Sequence, residues 1–225
     1  MAKQIKKTIK SRRTQEQRRE ASDEQLLRAA VELIARRGSR ISLAEVGRSS
    51  GFSHAFAGAR FGSRAEFIRF VTLKVREHSH KAWVAHAEAR QPIEAFEAYL
   101  EWIARSNDEG RALYVLLTEA LTLESPQRDE FAEHNFLLRQ AFQEILERST
   151  TGKNLPPGVS IEAITIALVG MLRGIAMQWL LEGDAIDMKK ARMSARWMLE
   201  RAFEGILTAE GSATDRNRSR AKTTP

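Results

Sequence analysis

Two short motifs in the chain contain residue types that serve in catalytic sites. The first, Gly51-Phe-Ser-His-Ala55, differs at one position from the G-x-S-x-G turn that carries a nucleophilic serine. That turn needs a strand before it and a helix after it, because the strained corner exposes the serine hydroxyl. A helical pattern precedes Gly51, so the sequence predicts no serine nucleophile at this position.

The second motif, Glu77-x-x-His80, has the spacing of a di-iron ligand pair. A di-iron site in a helical bundle needs two such motifs, and the chain contains one. The pair Gly152-Lys153 lacks the spacing of a phosphate-binding P-loop. There is no cysteine, which excludes disulfides, thiolate zinc sites, iron–sulfur clusters and cysteine nucleophiles. We therefore expect a protein that is not an enzyme and that holds no metal and no cofactor.

The positive charge is concentrated at the start of the chain. The net charge is +7, and residues 1–20 carry eight basic and two acidic side chains. Residues 21–70 carry eight basic and five acidic side chains, whereas residues 71–209 carry sixteen and twenty. A basic end on an acidic body favours a polyanion-binding module joined to a second domain. A solvated basic tail without a specific partner is the alternative.

Helical patterns fill the chain between its polar ends, and no stretch alternates apolar and polar residues as a strand does. The sequence predicts an all-α fold of about nine helices. Ser22-Asp-Glu-Gln25 and Ser42-Leu-Ala-Glu45 have the form of capping boxes, in which a serine and a Gln or Glu cap a helix start. They predict a first helix from Ser22 to Gly38 and a second helix that begins at Ser42.

The composition divides the chain into four parts. We expect a flexible basic arm at 1–20, a helical polyanion-binding domain at 21–70, a helical body at 71–209 and a disordered tail at 210–225. Within the body, an alanine-rich apolar segment predicts a central helix over 111–123. The longest apolar run, 163–181, is interrupted by Arg173 and Gln178, so no membrane partner is expected. A cytoplasmic location is the default.

Two short predicted helices, at 42–50 and 53–60, are joined by a turn that contains Gly51. This spacing is typical of a helix-turn-helix. The second helix of such a unit enters the major groove of DNA, where the base edges can be distinguished. An ordinary three-helix subdomain is the alternative.

The stretch from Gln25 to Val71 resembles the TetR family of transcriptional repressors. Its strings LLRAAVELIARRGSRISLAEVGRSSGFS and RFGSRAEF follow the family pattern of A-A-x-x-L-F-x-x-x-G, T-x-x-x-I-A-x-x-A-G-V-S and F-G-S-K-E. Two positions depart from that pattern. His54 stands where the family often has lysine, and Gly58 stands where it often has a tyrosine that touches the DNA backbone. Glycine weakens a helix by up to ~1 kcal/mol, so either this helix orders fully on DNA or Gly58 permits close backbone approach.

The resemblance implies which residues meet double-stranded DNA. They lie on the arm, at the start of the second helix and on the third helix: Arg12, Arg13, Arg18, Arg19, Ser42, Ser53, His54, Ala55, Phe56, Arg60 and Arg64. For any single arginine, the alternative to a DNA contact is a charge that is solvated by water. For Phe56, the alternative is a position in the hydrophobic core.

The resemblance also implies a homodimer that reads a palindromic operator and a body that binds a small-molecule effector of unknown identity. The residues expected to bind the effector are Trp102, Arg111, Tyr114, Leu117, Leu121, His134, Arg173 and Met177. The residues expected at the dimer interface are Gly170, Gly174, Gln178, Trp197 and Phe203. A core or surface role is the alternative for each effector residue, and a glycine pair buried inside one subunit is the alternative for Gly170 and Gly174.

Release of DNA by the effector would make the protein a ligand-controlled repressor. The alternative is a constitutive or architectural DNA-binding dimer without an effector. Such a protein would have the same arm and the same helix-turn-helix. A helical protein-interaction scaffold is a third class, and it would show no sequence-dependent DNA binding.

Overall fold

The computed structural model describes residues 14–87, 91–105, 107–150, 155 and 157–202. Every regular element in these ranges is a helix, so the predicted all-α fold is confirmed. The elements are α1 (Gln15–Arg37), α2 (Leu43–Ser49), α3 (His54–Phe61), α4 (Arg64–Ala87), α5 (Pro92–Arg105), α6 (Asn107–Glu119), α7 (Arg128–Thr150), α8 (Ile161–Glu182), a 3₁₀ turn (Gly183–Ala185) and α9 (Met188–Ala202).

The contacts within the chain define two compact units, Met1–Val71 and Thr72–Pro225. The first unit contains α1 to α3 and the first turns of α4. The second unit contains the rest of α4 and the helices that follow. The boundary therefore lies inside one continuous helix and not in a loop.

Helix α1 begins seven residues before the predicted start at Ser22. Thr14 caps it, because Gln17 N donates to Thr14 Oγ1 at 3.2 Å and Thr14 N donates to Gln17 Oε1 at 3.0 Å. Ser22 lies inside the helix, where its hydroxyl donates to Arg18 O at 2.8 Å. The prediction of a flexible arm through residue 20 is thus wrong for its last residues. Glutamine, glutamate and arginine are strong helix formers, so this polar segment extends the helix without burying a face.

The core of the first unit is formed by residues that are fully buried on α1, α2 and α4. Leu26, Ala30 and Ile34 repeat every four residues along one face of α1, and all three are 0% exposed. Val46 of α2 and Phe67 of α4 are also 0% exposed. Each large apolar side chain buried in this way contributes about 1.5–3 kcal/mol of transfer free energy. This core holds α1, α2 and the start of α4 together.

The core of the second unit lies among α5, α7, α8 and α9. Its centre contains Phe96, Leu100, Phe142, Leu172 and Ala195, which are all inaccessible to solvent. Helix α5 touches α6, α7, α8 and α9 and contributes six residues to this buried cluster. The buried centre therefore sits around α5.

Helix α6 spans Asn107–Glu119, so the predicted helix over 111–123 is shifted. Asp108 and Glu109 favour an earlier start, because acidic side chains stabilise the first turn of a helix. Gly110 then allows close approach to α5, since a Cβ there would lie 3.3 Å from Ile103 Cδ1. The residues at 120–127 form turns.

Helix α8 with its 3₁₀ turn, Ile161–Ala185, is long and apolar enough to cross a membrane by length and composition, with a mean hydropathy of 1.7. This differs from the expectation that no apolar run reaches that length. One face of α8 lies in the protein core through Leu168, Leu172, Ala176 and Leu180. That four-residue repeat is typical of a core helix.

Candidate nucleic-acid interface and ligand pocket

The start of α2 is fixed by a complete capping box, as the sequence predicts. Glu45 N donates to Ser42 Oγ at 3.2 Å, and Ser42 N donates to Glu45 Oε2 at 2.9 Å. Arg37 pairs with the same carboxylate at 3.0 Å. These donors hold the pKa of Glu45 below its ordinary value, with the hydrogen bonds from Ser42 as the main cause. The cap places Ser42 on the surface at the N-terminus of α2.

The turn between α2 and α3 is built around Gly51, whose φ is +76°. A side chain at this position would be strained, because L-residues rarely adopt a positive φ. Phe52 N donates to Gly47 O at 2.9 Å and closes the turn. The structure therefore contains the helix-turn-helix that the spacing predicts.

Helix α1 braces the helix-turn-helix through two polar contacts, one to α3 and one to the end of α2, which were not predicted from the sequence. Arg60 of α3 donates two hydrogen bonds to the carboxylate of Asp23, at 2.8 and 2.6 Å. Gln25 Nε2 donates to Ser50 O at 2.6 Å, at the end of α2. The guanidinium of Arg60 also lies over the ring of Phe61, 5.0 Å from its centroid. These contacts fix the orientation of α3 against α1.

Two arginines expected to touch DNA have partners within the protein. The pair with Asp23 occupies the guanidinium of Arg60. Arg64 donates from Nε to Ile41 O at 2.9 Å and from Nη2 to Ser39 O at 2.7 Å. Both arginines therefore help to position the helices of the first unit, and their role as DNA contacts stays a prediction.

The N-terminal face of α3 is open to solvent. Ser53 and Ala55 are exposed, and Phe56 is 37% exposed and stacked on Phe52 with the ring centroids 4.5 Å apart. Phe56 is therefore a surface residue, and the alternative of a core position is wrong. The hydroxyl of Ser53 makes no capping bond, so the first amides of α3 receive no side-chain acceptor. Unsatisfied amides at a helix start bind anions such as phosphate oxygens.

Helix α3 is continuous through Gly58, so this glycine does not interrupt the recognition helix. A Cβ at Gly58 would meet nothing within 4 Å, so packing does not require the glycine. Of the remaining predicted DNA contacts, Arg18 and Arg19 lie exposed on α1. Arg12, Arg13 and the side chain of His54 lie outside the described residues.

A pocket in the second unit brings together three of the residues predicted to bind an effector. Its volume is about 130 Å³, and it lies between α6 and α8. Its lining residues are Arg111, Tyr114, Val115, Thr118, Met177, Leu180 and Leu181. Arg111 Nη1 donates to Leu180 O at 2.5 Å and so joins the two walls. Arg111, Tyr114 and Met177 were predicted from the sequence, whereas Val115, Thr118, Leu180 and Leu181 were not.

The other predicted effector residues lie elsewhere. Leu121 is 71% exposed in the turn after α6 and does not line this pocket, because α6 ends before it. Trp102 packs against Tyr99 with the ring centroids 5.7 Å apart, and neither Trp102 nor Leu117 lines the pocket. His134 is buried, and burial lowers its pKa to about 3, with the charges of Arg76, Arg173 and His80 adding to the effect.

The predicted dimer residues lie on the exposed side of α8 and α9. Gly170 and Gln178 are exposed, Gly174 is half-buried, and a Cβ at either glycine would meet nothing within 4 Å. The alternative of a glycine pair buried inside one subunit is therefore wrong. Trp197 is 61% exposed on α9. Phe203 lies outside the described residues.

Comparisons with known proteins find the fold in solved structures. No protein-family model matches the sequence, and no curated protein is similar to it. A TetR-like transcriptional regulator from Rhodococcus sp. RHA1 is 19% identical, with a TM-score of 0.65, 86% of this chain and 100% of that chain covered. A regulator of the TetR/AcrR family from Aquifex aeolicus is 20% identical, with a TM-score of 0.65 and coverage of 81% and 99%. A regulator from Saccharomonospora viridis, solved in complex with choline, is 17% identical, with a TM-score of 0.68 and coverage of 80% and 96%.

These similarities extend over at least four fifths of the chain, so they include both compact units. At these identities the similarity establishes the fold and not the ligand or the operator. The chain has the fold of the TetR-family transcriptional regulators.

Proposed function

We propose that the protein is a TetR-like transcriptional repressor, which binds a palindromic operator as a homodimer and is released by a small-molecule effector. Solved structures that share its fold are transcriptional regulators. The sequence near Gly51 that resembles a nucleophile turn follows a helix and not the strand that such a turn needs. The proposal includes a cytoplasmic location and no membrane partner.

The observation that carries the proposal is the open N-terminal face of α3 on a braced helix-turn-helix. Ala55 and Phe56 are exposed there, while the pair of Arg60 with Asp23 fixes the helix orientation. Base edges in the major groove are read by the N-terminal residues of such a helix. A methyl group at Ala55 and a ring at Phe56 suit contact with thymine methyl groups.

The exposed apolar side chains of α8 and α9 support the homodimer. Leu181, Met193, Trp197 and Met198 are between 44% and 79% exposed. A two-fold interface places the same patch on both subunits, so one apolar face is enough to build it. A symmetric dimer presents two copies of α3, which explains why the operator would be palindromic.

The pocket between α6 and α8 supports effector control. Helix α4 carries residues of both units. A shift of α4 caused by the ligand would therefore change the spacing between the two copies of α3 in the dimer. A ligand can shift this equilibrium only by its difference in affinity for the two states. A regulator without an effector remains the second candidate. It would be favoured if no ligand that binds the protein changed its affinity for the operator.

Selection of binding sites from a random duplex library tests the proposal, followed by a salt titration on the enriched sequence. We expect a palindromic consensus and a steep fall in affinity with salt, because phosphate contacts release counterions. The variant Ala55→Glu places a carboxylate on the exposed face of α3 and should enrich no sequence. Ala163→Glu, the same change at an exposed position of α8 in the second unit, is the matched control and should enrich the consensus. Binding that depends on salt but yields no consensus would refute sequence-specific reading.

A further inference from the structure

The second unit encloses positively charged and hydroxyl groups that have too few partners. Arg76 of α4 is 7% exposed, and its Nη2 donates to Glu133 Oε2 at 3.0 Å. Its Nε and Nη1 atoms are buried without a hydrogen-bond partner. The same is true of Arg173 Nε on α8 and of the hydroxyl of Tyr114 on α6, a residue that is 5% exposed.

The groups around these atoms add little negative charge. Glu133, the partner of Arg76, has a side chain that is 66% exposed and faces solvent. His134 stays neutral at physiological pH because burial, together with Arg76 and Arg173, lowers its pKa to about 3. Burial raises the pKa of Tyr99 and, with Tyr99 beside it, raises that of Tyr114 well above the ordinary value. Both tyrosines therefore remain neutral, and their hydroxyl groups are close enough to act on each other.

Such an arrangement is costly for the free protein. A buried donor without an acceptor loses its hydrogen bonds to water, and the loss is greater for a charged group. Buried cations are normally paired with an anion. An unfilled set of donors around two arginines therefore indicates a place for an anion.

The pocket between α6 and α8 leads to these donors. Tyr114 belongs to both, since it lines the pocket and carries one of the unpartnered groups. Arg173 lies four residues before Met177 of the pocket wall, so the two side chains share one face of α8. The charge of Arg173 also acts on Tyr114 and Tyr99. Tyr114 therefore connects the apolar pocket to Arg173, a half-buried residue whose Nε atom is buried.

The size of the pocket limits the ligand in this conformation. A volume of about 130 Å³ approaches that of a cavity that holds one benzene molecule. Most ligand sites in proteins are larger, at about 300–1,000 Å³. A ligand of more than ring size must therefore part α6 from α8, which is a structural change that binding would drive.

We propose that the effector is a small organic carboxylate, whose anionic group binds Arg173 and Tyr114 and whose apolar part lies against Val115, Met177 and Leu180. This inference rests on the proposed function, in which the second unit binds the effector. Arg76 adds positive potential, since its charge reaches His134 as that of Arg173 does. An arginine fork and a hydroxyl together match the two oxygens of a carboxylate.

The test compares three acids, benzoate, phenylacetate and hexanoate, with their primary amides. Binding to the full-length protein is measured by isothermal titration calorimetry at up to about 10 mM ligand, which detects millimolar affinity. We expect at least one acid to bind about tenfold or more tightly than its amide, because hydrogen bonds to charged groups are the stronger ones. Amides that bind as tightly as the acids, or no binding by any acid, would overturn the proposal. Inorganic phosphate is titrated in parallel, and tighter binding of phosphate than of every acid would also overturn it.

Two variants locate the binding. Arg173→Met keeps the apolar stem and removes the charge, and Tyr114→Phe removes only the unpartnered hydroxyl. Both should abolish or reduce the preference for acid over amide, by about tenfold for Arg173→Met. The melting temperature of the free protein should stay unchanged or rise, since each change removes a buried group without a partner. A purely structural role would instead lower it. Arg148→Gln also removes one positive charge, but at an exposed position of α7. It is the matched control and should leave the preference for acid over amide intact.

These readouts do not depend on DNA, so the two proposals can fail separately. An acid that binds through Arg173 without weakening operator binding would uphold the ligand class and refute effector release. A protein that selects no DNA sequence would refute the proposed repressor while leaving the acid preference to be judged on its own. A preference for acids that survives in Arg173→Met would refute the site.

Discussion

The pair of Arg60 with Asp23 should position the reading helix rather than bind DNA. We predict that Asp23→Ala and Arg60→Ala both loosen α3 and that the double variant is no worse than Arg60→Ala alone. The two side chains are joined by hydrogen bonds of 2.8 and 2.6 Å and are 20% and 25% exposed. Their geometry is that of a strong bidentate pair, and their partial exposure allows screening by solvent.

The coupling free energy follows from these two facts. Hydrogen bonds between charged groups are worth about 1.5–3 kcal/mol when buried, and exposed ion pairs are worth about 0.2–1 kcal/mol. A pair of intermediate exposure should therefore couple by about 1–2 kcal/mol in a double-mutant cycle. Arg60→Ala should cost slightly more than Asp23→Ala, because it also removes the contact with the Phe61 ring, worth about 0.5–1 kcal/mol.

Hydrogen exchange at the α3 amides measures this coupling in the full-length protein. Fluorescence is unsuitable for the purpose, because all four tryptophans follow residue 71. Glu32→Ala is the control, since Glu32 pairs with Arg36 on the exposed side of α1 and should change protection at α3 by less than about 0.5 kcal/mol. A coupling close to zero would show that the pair does not hold α3.

The sign of the effect on operator affinity decides between the two roles of Arg60. If the arginine positions α3, Asp23→Ala should weaken operator binding by about two- to tenfold, as the fraction of correctly placed helix falls. If Arg60 binds DNA, the same variant should free its guanidinium and strengthen binding. Tighter binding by Asp23→Ala would thus refute the positioning role.

Three further predictions follow from the structure. Gly58→Ala should stabilise α3 by up to about 1 kcal/mol in hydrogen exchange, because nothing lies within 4 Å of the new Cβ. If Gly58 lets DNA approach the backbone, this variant should also weaken operator binding, and unchanged affinity would exclude that role. Trp197→Arg should convert the dimer to a monomer in analytical ultracentrifugation, since Trp197 is 61% exposed on the proposed interface, and a persistent dimer would place the interface elsewhere. His134, whose pKa burial lowers from 6.5 to about 3, should make stability fall by up to about 1.4 kcal/mol per pH unit below pH 6.5 and towards pH 3, because the unfolded chain binds the proton first. Urea unfolding of His134→Gln should show a shallower fall, and an identical pH profile would contradict the assignment.

Local signals in the sequence predicted the helix-turn-helix well. The capping box at Ser42 and the turn at Gly51 depend on neighbouring residues, so their chemistry can be seen in the sequence. The start of α1 was predicted wrongly because Thr14 and Ser22 both begin a capping-box pattern within one helix-forming run. The pattern does not say which of two such starts the chain uses.

Contacts between distant residues were beyond the sequence. Asp23 and Arg60 are 37 positions apart, and Arg64 reaches carbonyl groups more than 20 positions away. A basic residue in this region resembles a DNA contact until its partner is known. Arg76 was missed for a related reason, although it follows the buried Val75 and lies four residues after the buried Thr72. The signal that could have found Arg76 was its position on the same face of α4 as the buried residue Thr72.

The most direct test of the central claim varies the spacing of the two half-sites in the selected operator. A dimer that reads two major grooves with two copies of α3 needs half-sites about one helical turn, or a multiple of it, apart. Inserting about five base pairs, half a turn, between the half-sites turns them to opposite faces of the duplex. We predict that this insertion lowers affinity to the level of non-specific DNA and that inserting a full turn restores part of it. Equal affinity for all three spacings would contradict the dimeric reader.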